Sequence, residues 1–131
     1  GFFVDLNGGF WLVTKSSTRT RVYLAQSPQA GKTTTLKEVG TLVFDKGRSD
    51  GMLVTGADMS QDGSRVIVRT YLEAFQFRTE GGDWYKKSPS KVALNPELQG
   101  EAICYSLDGK SILTTSEFAP CRVSVVSTQN R

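Results

Sequence analysis

The chain has 131 residues, of which 38% are hydrophobic and 22% charged, a composition typical of globular domains that excludes a disordered chain. Its 16 basic and 13 acidic residues are scattered, so no run of like charges marks a nucleic-acid-binding tail, and we expect no nucleic-acid partner. No stretch approaches about eighteen consecutive apolar residues, so we expect no membrane span.

The absence of histidine narrows the chemistry that the chain can perform. It excludes Ser-His-Asp and Cys-His mechanisms and every zinc site that contains histidine. The two cysteines, Cys104 and Cys121, are too few for a four-cysteine zinc cage. They leave two alternatives open, a disulfide or two thiols, of which two thiols are favoured.

The first predicted element is a hairpin close to the start of the chain. Residues 3–16 have the pattern of a strand, a glycine-rich turn that contains Gly9, and a second strand. Two more strands are predicted at residues 21–24 and 39–44. Together they form a first unit of four strands, from residue 1 to about residue 47.

An internal repeat defines the rest of the chain. Residues 55–70 align without a gap on residues 101–116, a spacing of 46 residues. In each copy an Asp-Gly pair, with Asp62 or Asp108, separates two β-rich runs and supplies the positive φ of a tight hairpin. The strand after each turn is too apolar to face water on both sides. Each copy therefore predicts a buried hairpin in which the aspartate is structural.

Further strands complete the repeated units. Strands at residues 74–77 and 91–94 close a second unit of about residues 52–95, and one at residues 122–126 follows the third hairpin. No segment has a helical period. Four strands per repeat at this spacing are typical of β-propeller blades. We therefore predict an all-β fold of three four-stranded antiparallel blades in an incomplete propeller ring, the third blade covering about residues 99–131 without its last strand.

The first hairpin aligns less regularly with the other two. Gly9 stands 54 residues before Gly63, which predicts a longer insertion in the first blade.

These repeats resemble the blades of Asp-Gly propellers, the group that includes WD40-like, TolB-like and phytase-like propellers. The family pattern Ser-Pro-Asp-Gly is present with Gln61 and Leu107 in place of the proline. Residues 96–103 and 114–117 are similar, more narrowly, to uncharacterised secreted bacterial propellers of the phytase-like and esterase-like group. The resemblance implies a propeller fold and an extracellular or periplasmic location, and it implies almost nothing about activity.

Three blades do not close a ring, which needs four or more. Either the chain is a piece of a longer protein, which is the favoured interpretation, or a second copy covers its open flanks, as when two three-blade arcs form a six-blade ring. A lone arc would expose apolar faces and an unpaired strand edge. The expected partners are therefore other blades or a second copy, together with a protein or glycan at the rim.

The blade topology predicts a rim at the channel mouth, because the start of the first strand and the end of the second are neighbours. The predicted rim comprises Lys15, Ser17, Thr55, Asp58, Arg69, Tyr71, Glu101 and Glu117. Such a mixed ring has the groups to bind an anion, a sugar or a divalent cation. The favoured alternative is a set of solvated charges and salt bridges between blades.

Three further residues each have two interpretations. Asp58 lies inside an otherwise apolar strand, where an acid must be paired. It is either a channel-facing ligand or base, or an acceptor for backbone N–H groups of the neighbouring blade. Trp84 and Tyr85 either fill the space between sheets or form a sugar or protein contact.

The function predicted from these features is a non-enzymatic propeller module for binding or assembly, without a cofactor. The alternative is a hydrolase of the phytase-like or lactonase-like kind. In that alternative a calcium ion held by Asp58, Glu101 and Glu117 would activate water.

Overall fold

The computed structural model describes residues 1–44 and 53–128. These residues form eleven β-strands and one short 3₁₀ helix, with no α-helix among them. The strands build three antiparallel sheets of four, four and three strands, which confirms the predicted all-β class. The predicted unit ends at residues 47, 52 and 131 lie outside the described ranges.

Each sheet is a simple meander of strands that follow one another in the chain. Sheet 1 contains β1 (Phe2–Val4), β2 (Phe10–Val13), β3 (Arg21–Ala25) and β4 (Lys37–Thr41). Sheet 2 contains β5 (Val54–Met59), β6 (Arg65–Thr70), β7 (Ala74–Arg78) and β8 (Ser90–Val92), with the 3₁₀ helix (Trp84–Lys86) between its last two strands. Sheet 3 contains β9 (Gly100–Tyr105), β10 (Ser111–Ser116) and β11 (Ser124–Ser127).

Two strands end earlier than their apolar patterns predict. Strand β4 stops at Thr41, and the next residue, Leu42, donates its N–H to the Thr20 carbonyl at 3.0 Å and buries its side chain. Strand β8 stops at Val92, and Leu94 packs against the core between sheets 2 and 3. In both places a leucine just beyond the strand packs into a core between two sheets.

The two repeated hairpins have the same hydrogen bonds. The Ser60 hydroxyl donates to the Asp62 carboxylate at 2.6 Å and accepts the backbone N–H of the first residue of β6 at 3.0 Å. Ser106 does the same with Asp108, at 2.6 Å, and with the first residue of β10, at 2.9 Å. The hydrogen bonds from Ser60 and Ser64 lower the pKa of Asp62 to about 2. The predicted structural role of both aspartates is confirmed.

The first hairpin differs by one residue from the predicted alignment. Gly8 has a φ of 78° and donates its N–H to the carbonyl three residues before it, as Gly63 does with a φ of 68°. Gly8, and not Gly9, is therefore the residue equivalent to Gly63 in the structure. Asp5 replaces the hairpin serine, and its carboxylate accepts the indole N–H of Trp11 at 2.7 Å.

The three sheets follow one another with their first strands side by side, because β1 contacts β5 and β5 contacts β9. Each sheet thus has a preceding face, on the side of the sheet before it in the chain order, and a following face on the other side. Residues paired directly across antiparallel strands share a face. In sheet 2 the register places Val66 and Phe77 on the preceding face and Asp58 and Ile67 on the following face.

Sheet 2 is buried on both faces. Its preceding face packs on the following face of sheet 1 in a core that contains Phe3, Val13, Val22, Val66, Val68, Phe75, Phe77, Trp84 and Tyr85. Its following face packs on the preceding face of sheet 3 through Ile67, Ala74, Ile103, Tyr105 and Ile112. Within the described parts of the chain, no helix has the length and hydropathy to cross a bilayer.

Candidate functional site

Four residues of the predicted rim meet where the three sheets approach one another. Lys15 Nζ donates a hydrogen bond to the Tyr71 hydroxyl, lies 4.4 Å from the centre of its ring, and is 4.0 Å from Glu101 Oε1. The hydrogen bond with Tyr71 raises the pKa of Lys15, and the carboxylates of Glu101 and Glu117 raise it further. The positive charge of Lys15 is balanced by nearby carboxylates at the surface, so this group of residues is a solvated salt bridge between sheets.

The two small polar residues of the predicted rim lie in different surroundings. Thr55 donates its hydroxyl to the Gly100 carbonyl at 2.6 Å, which ties sheet 2 to sheet 3. Ser17 is exposed.

Arg69 does not lie on the rim, because its side chain is only 1% exposed. Its guanidinium forms an ion pair with Glu97, with Nη1 3.0 Å from Glu97 Oε2. The same guanidinium donates to the carbonyl oxygens of Thr70, at 3.1 Å, and Ala102, at 3.0 Å. Arg69 is therefore a buried connection between sheets 2 and 3, satisfied by a carboxylate and by backbone acceptors.

Glu97 completes this connection, and sequence reasoning missed it. Its side chain is 7% exposed and accepts a hydrogen bond from Thr114. Burial raises the pKa of Glu97, but hydrogen bonds from Thr114, Arg69 and Ser124 outweigh the burial, so the pKa lies below its ordinary value. A signal was available, since an arginine in the apolar strand β6 requires a buried carboxylate nearby.

Gly100 makes room for the buried arginine. A Cβ atom at this position would lie 1.4 Å from Arg69 Nη2, a distance that no side chain tolerates. Glycine is therefore required here by the close approach of the guanidinium to the backbone of β9.

Asp58 is the second polar link between sheets 2 and 3. Its Oδ2 accepts the backbone N–H of Tyr105 at 2.8 Å, the arrangement expected of a structural acceptor for the neighbouring sheet. Burial raises the pKa of Asp58, and the backbone hydrogen bonds from Tyr105 and Met59 oppose that rise without cancelling it. The carboxylate is half-buried, and its hydrogen bond joins sheet 2 to sheet 3.

The carboxylates proposed as calcium ligands do not form a cluster. Across residues 1–44 and 53–128, no three His, Cys, Asp or Glu side chains are grouped so that they could hold a metal ion. Asp58 bonds to the backbone of β9, and Glu101 lies beside Lys15. These residues therefore do not supply the site that the metal-hydrolase alternative needs.

The two cysteines are free thiols, and both are exposed. Cys121 donates its thiol hydrogen to the Ser116 carbonyl at 3.2 Å. Cys104 lies on the following face of sheet 3, where burial and the charge of Asp58 raise its pKa. The structure corresponds to the two-thiol alternative.

Trp84 and Tyr85 fill the space between sheets 1 and 2. They are 3% and 8% exposed, and the Trp84 ring contacts the rings of Phe3, Trp11 and Phe77 with centroids 5.4–5.7 Å apart. The space-filling interpretation is confirmed, because neither ring is available to a sugar or a protein.

The outward faces of the first and the last sheet carry exposed apolar side chains. On the preceding face of sheet 1, Phe2 is 66%, Val4 46% and Phe10 43% exposed. On the following face of sheet 3, Val125 is 60% exposed and lies beside Leu113 and the exposed Cys104. No other sheet of the described residues covers these two faces.

Comparison with known proteins does not assign the chain to a family. No protein-family model matches the sequence. No curated protein matches it significantly either.

Proposed function

We propose that this chain is a three-blade segment of a β-propeller that acts as an assembly module without catalytic activity. In this proposal the preceding face of sheet 1 packs on the following face of sheet 3 from a second copy of the chain. The observation that supports it is the burial of sheet 2, whose equivalent faces are both covered inside the chain.

The equivalence of positions follows from the hairpin registers. Phe2 and Val4 in β1 occupy the positions that Ala57 and Met59 hold in β5, when the Gly8 and Gly63 turns are aligned. Ala57 is only 8% exposed because sheet 1 covers it, whereas Phe2 is 66% exposed. The preceding face of sheet 1 therefore has the pattern of a face that normally receives another blade.

The opposite flank has the matching pattern. Leu113 in β10 is the repeat equivalent of Ile67, which is fully buried against sheet 3. Its strand neighbour Val125 remains exposed. The preceding face of sheet 1 and the following face of sheet 3 therefore resemble the two faces that pack together between neighbouring sheets inside the chain.

Such an interface is heterologous, because each copy contributes a different face. A heterologous contact closes into a ring when the rotation per subunit divides a full turn, and otherwise extends into a filament. Two copies that pack through both flanks would complete a ring of six blades.

The alternative function, a calcium-dependent hydrolase, receives no support from the site. Asp58 bonds to the backbone of β9, whereas Glu101 and Glu117 lie near Lys15, and no three potential metal ligands of the described residues form a cluster. The proposal is therefore restricted to assembly.

Charge substitutions on the two flanks test the proposal by solution mass. We expect Phe2→Lys and Val125→Lys each to be monomeric in sedimentation equilibrium at concentrations where the unmodified chain associates, because each places a charge in an apolar contact. Leu72→Lys is the matched control, since Leu72 is 77% exposed on the turn between β6 and β7, away from both flanks. This control should associate like the unmodified chain.

Mixing the two variants separates a heterologous interface from a symmetric one. A Phe2→Lys copy retains its following face and a Val125→Lys copy retains its preceding face, so a mixture should form a heterodimer through one intact interface. An unmodified chain that remains monomeric at all accessible concentrations contradicts the assembly proposal. Association of either variant with itself contradicts the head-to-tail arrangement.

A further inference from the structure

A cleft of about 690 Å³ opens between the outer strands of sheets 2 and 3. Its walls come from the following face of sheet 2, through Gln76 and Val92, and the preceding face of sheet 3, through Ile112 and Val126. The cleft lies inside one chain and is independent of the flanks that the assembly proposal uses. Its volume is in the range of sites for small organic ligands.

The cleft combines an apolar floor with a cationic edge. The apolar part of the lining consists of Val92, Ala93, Ile112 and Val126. Serine and threonine side chains add hydroxyl groups to it. The charged residues that line it are Arg78, Lys87 and Lys91. None of the twelve described lining residues is acidic.

Arg78 is the least compensated of these cations. It stands directly opposite Arg65 across β6 and β7, and like charges in such a pair repel. Arg65 is engaged, since its guanidinium donates to the Gly109 carbonyl at 3.0 Å and lies 5.0 Å from the centre of the Tyr105 ring. No carboxylate or carbonyl among the described residues pairs with the Arg78 guanidinium.

The two lysines are held at the cleft by other contacts. Lys91 forms an ion pair with Glu73, which is not part of the lining. Lys87 donates to the Glu80 carbonyl, a neutral acceptor, and no carboxylate of the described residues forms an ion pair with it. The uncompensated charge at the cleft therefore belongs to Arg78 and Lys87.

We infer that the cleft binds a small organic anion, with its carbon body on the floor of Val92, Ile112 and Val126 and its oxyanion against Arg78 and Lys87. Guanidinium and ammonium groups form charge-assisted hydrogen bonds with carboxylate, sulfate and phosphate oxygens, and an arginine fork fits such groups with two bonds. The apolar floor adds affinity for a carbon body that a bare inorganic anion lacks.

Titration with three probes that carry the same phenyl ring tests this inference. Phenyl phosphate, phenylacetate and benzyl alcohol share an aromatic body and differ in charge, and the backbone amide shifts of the isotope-labelled chain report where each one binds. We expect phenyl phosphate and phenylacetate to shift amides of β7, β8 and β11, and benzyl alcohol to bind at least roughly tenfold more weakly. The stronger of the two anions identifies whether a phosphate or a carboxylate is preferred.

The variant Arg78→Gln should lower the affinity for both anions by roughly tenfold or more and leave the affinity for benzyl alcohol unchanged. Lys32→Gln removes the same charge from an exposed loop of sheet 1 and is the matched control, which should bind the anions like the unmodified chain. Equal affinity for the three probes, shifts that map outside the cleft, or equal weakening by Lys32→Gln would overturn the inference. Because Arg78 is exposed, thermal unfolding of the variant should match that of the unmodified chain.

Discussion

The two junctions between neighbouring sheets are built from different chemistry, although the sheets themselves are repeats. The aromatic junction, between sheets 1 and 2, is filled by Phe3, Trp11, Phe77, Trp84 and Tyr85. The polar junction, between sheets 2 and 3, is spanned by Asp58, Arg69, Glu97 and the backbone of Tyr105. Sheet 2 thus has an aromatic core on one side and, on the other, a mostly aliphatic core joined by buried hydrogen bonds and an ion pair.

The comparison shows how equivalent positions diverge between repeats. Val68 and Thr114 occupy the same place in the two copies, and both are buried on a preceding face. Val68 packs in the aromatic junction, whereas Thr114 donates its hydroxyl to Glu97 in the polar junction. A single side-chain oxygen is therefore enough to change a position from an apolar contact to a polar one, provided that its partner is buried with it.

The largest effect is expected at the centre of the aromatic junction. Trp84→Ala removes a ring that contacts four others. We expect it to lower the free energy of unfolding by a value near the upper end of the range of about 3 to 5 kcal/mol. Urea unfolding followed by circular dichroism measures this cost.

Trp84→Phe is the control for this substitution. The buried indole N–H has no hydrogen-bond acceptor among the described residues, so phenylalanine loses ring volume without losing a hydrogen bond. It should cost clearly less than alanine. A Trp84→Ala cost below about 1 kcal/mol would show that sheets 1 and 2 do not depend on this cluster.

A smaller loss of stability is expected from a substitution in the polar junction. Arg69→Met leaves the Glu97 carboxylate buried without its cation, and breaking a buried pair in this way costs about 3 kcal/mol. Chemical unfolding measures it. Arg21→Met removes an arginine from an exposed pair with Glu38, whose atoms are 3.6 Å apart, and should cost less than about 1 kcal/mol.

The double variant Arg69→Met with Glu97→Gln distinguishes a lost charge from lost packing. Glutamine removes the unpaired charge and can still accept the Thr114 hydroxyl, so the double variant should recover a large part of the stability lost by Arg69→Met alone. A double variant less stable than the single one would contradict the ion-pair account.

The smallest effects are expected in the pH dependence of the polar junction, where two carboxylates act in opposite directions. Asp58 has a raised pKa, so its stabilising contribution is present below the ordinary value of 3.8 and is lost as the pH rises through the folded-state pKa. Glu97 has a lowered pKa, so its contribution is present above 4.5 and is lost as the pH falls through the folded-state pKa.

Urea midpoints at pH values from about 3 to 6 measure these contributions. Relative to the unmodified chain, Asp58→Asn should gain stability as the pH rises and Glu97→Gln should lose it. Differences of the same sign for both variants would contradict the opposite shifts.

Much of the fold was predictable because its signals are local. The turns at Gly63 and Gly109 need a positive φ, and the alternation of apolar residues on either side of them specifies strands. The hairpins, the order of the strands and the structural roles of Asp62 and Asp108 follow from such short-range patterns. The first hairpin was misaligned by one residue, because two adjacent glycines satisfy the same local pattern and hydrogen bonds distinguish them.

The site was predicted less completely, because it depends on which side chains meet across sheets. Lys15, Tyr71 and Glu101, which come from different sheets, lie close together in the structure. Arg69 was expected at the rim, but its side chain is buried. The alternation of side chains along a strand predicts the face on which a residue lies, but not how completely a neighbouring sheet covers that residue.

By itself, the sequence determined that this chain forms antiparallel hairpins repeated along its length, because backbone turns and strand periodicity are properties of a few adjacent residues. Only the tertiary structure decided that Glu97, in the segment between two sheets, meets Arg69 from strand β6, 28 residues earlier in the chain. It also decided that one junction is aromatic and the other polar, since burial depends on the surfaces that neighbouring sheets present to each other.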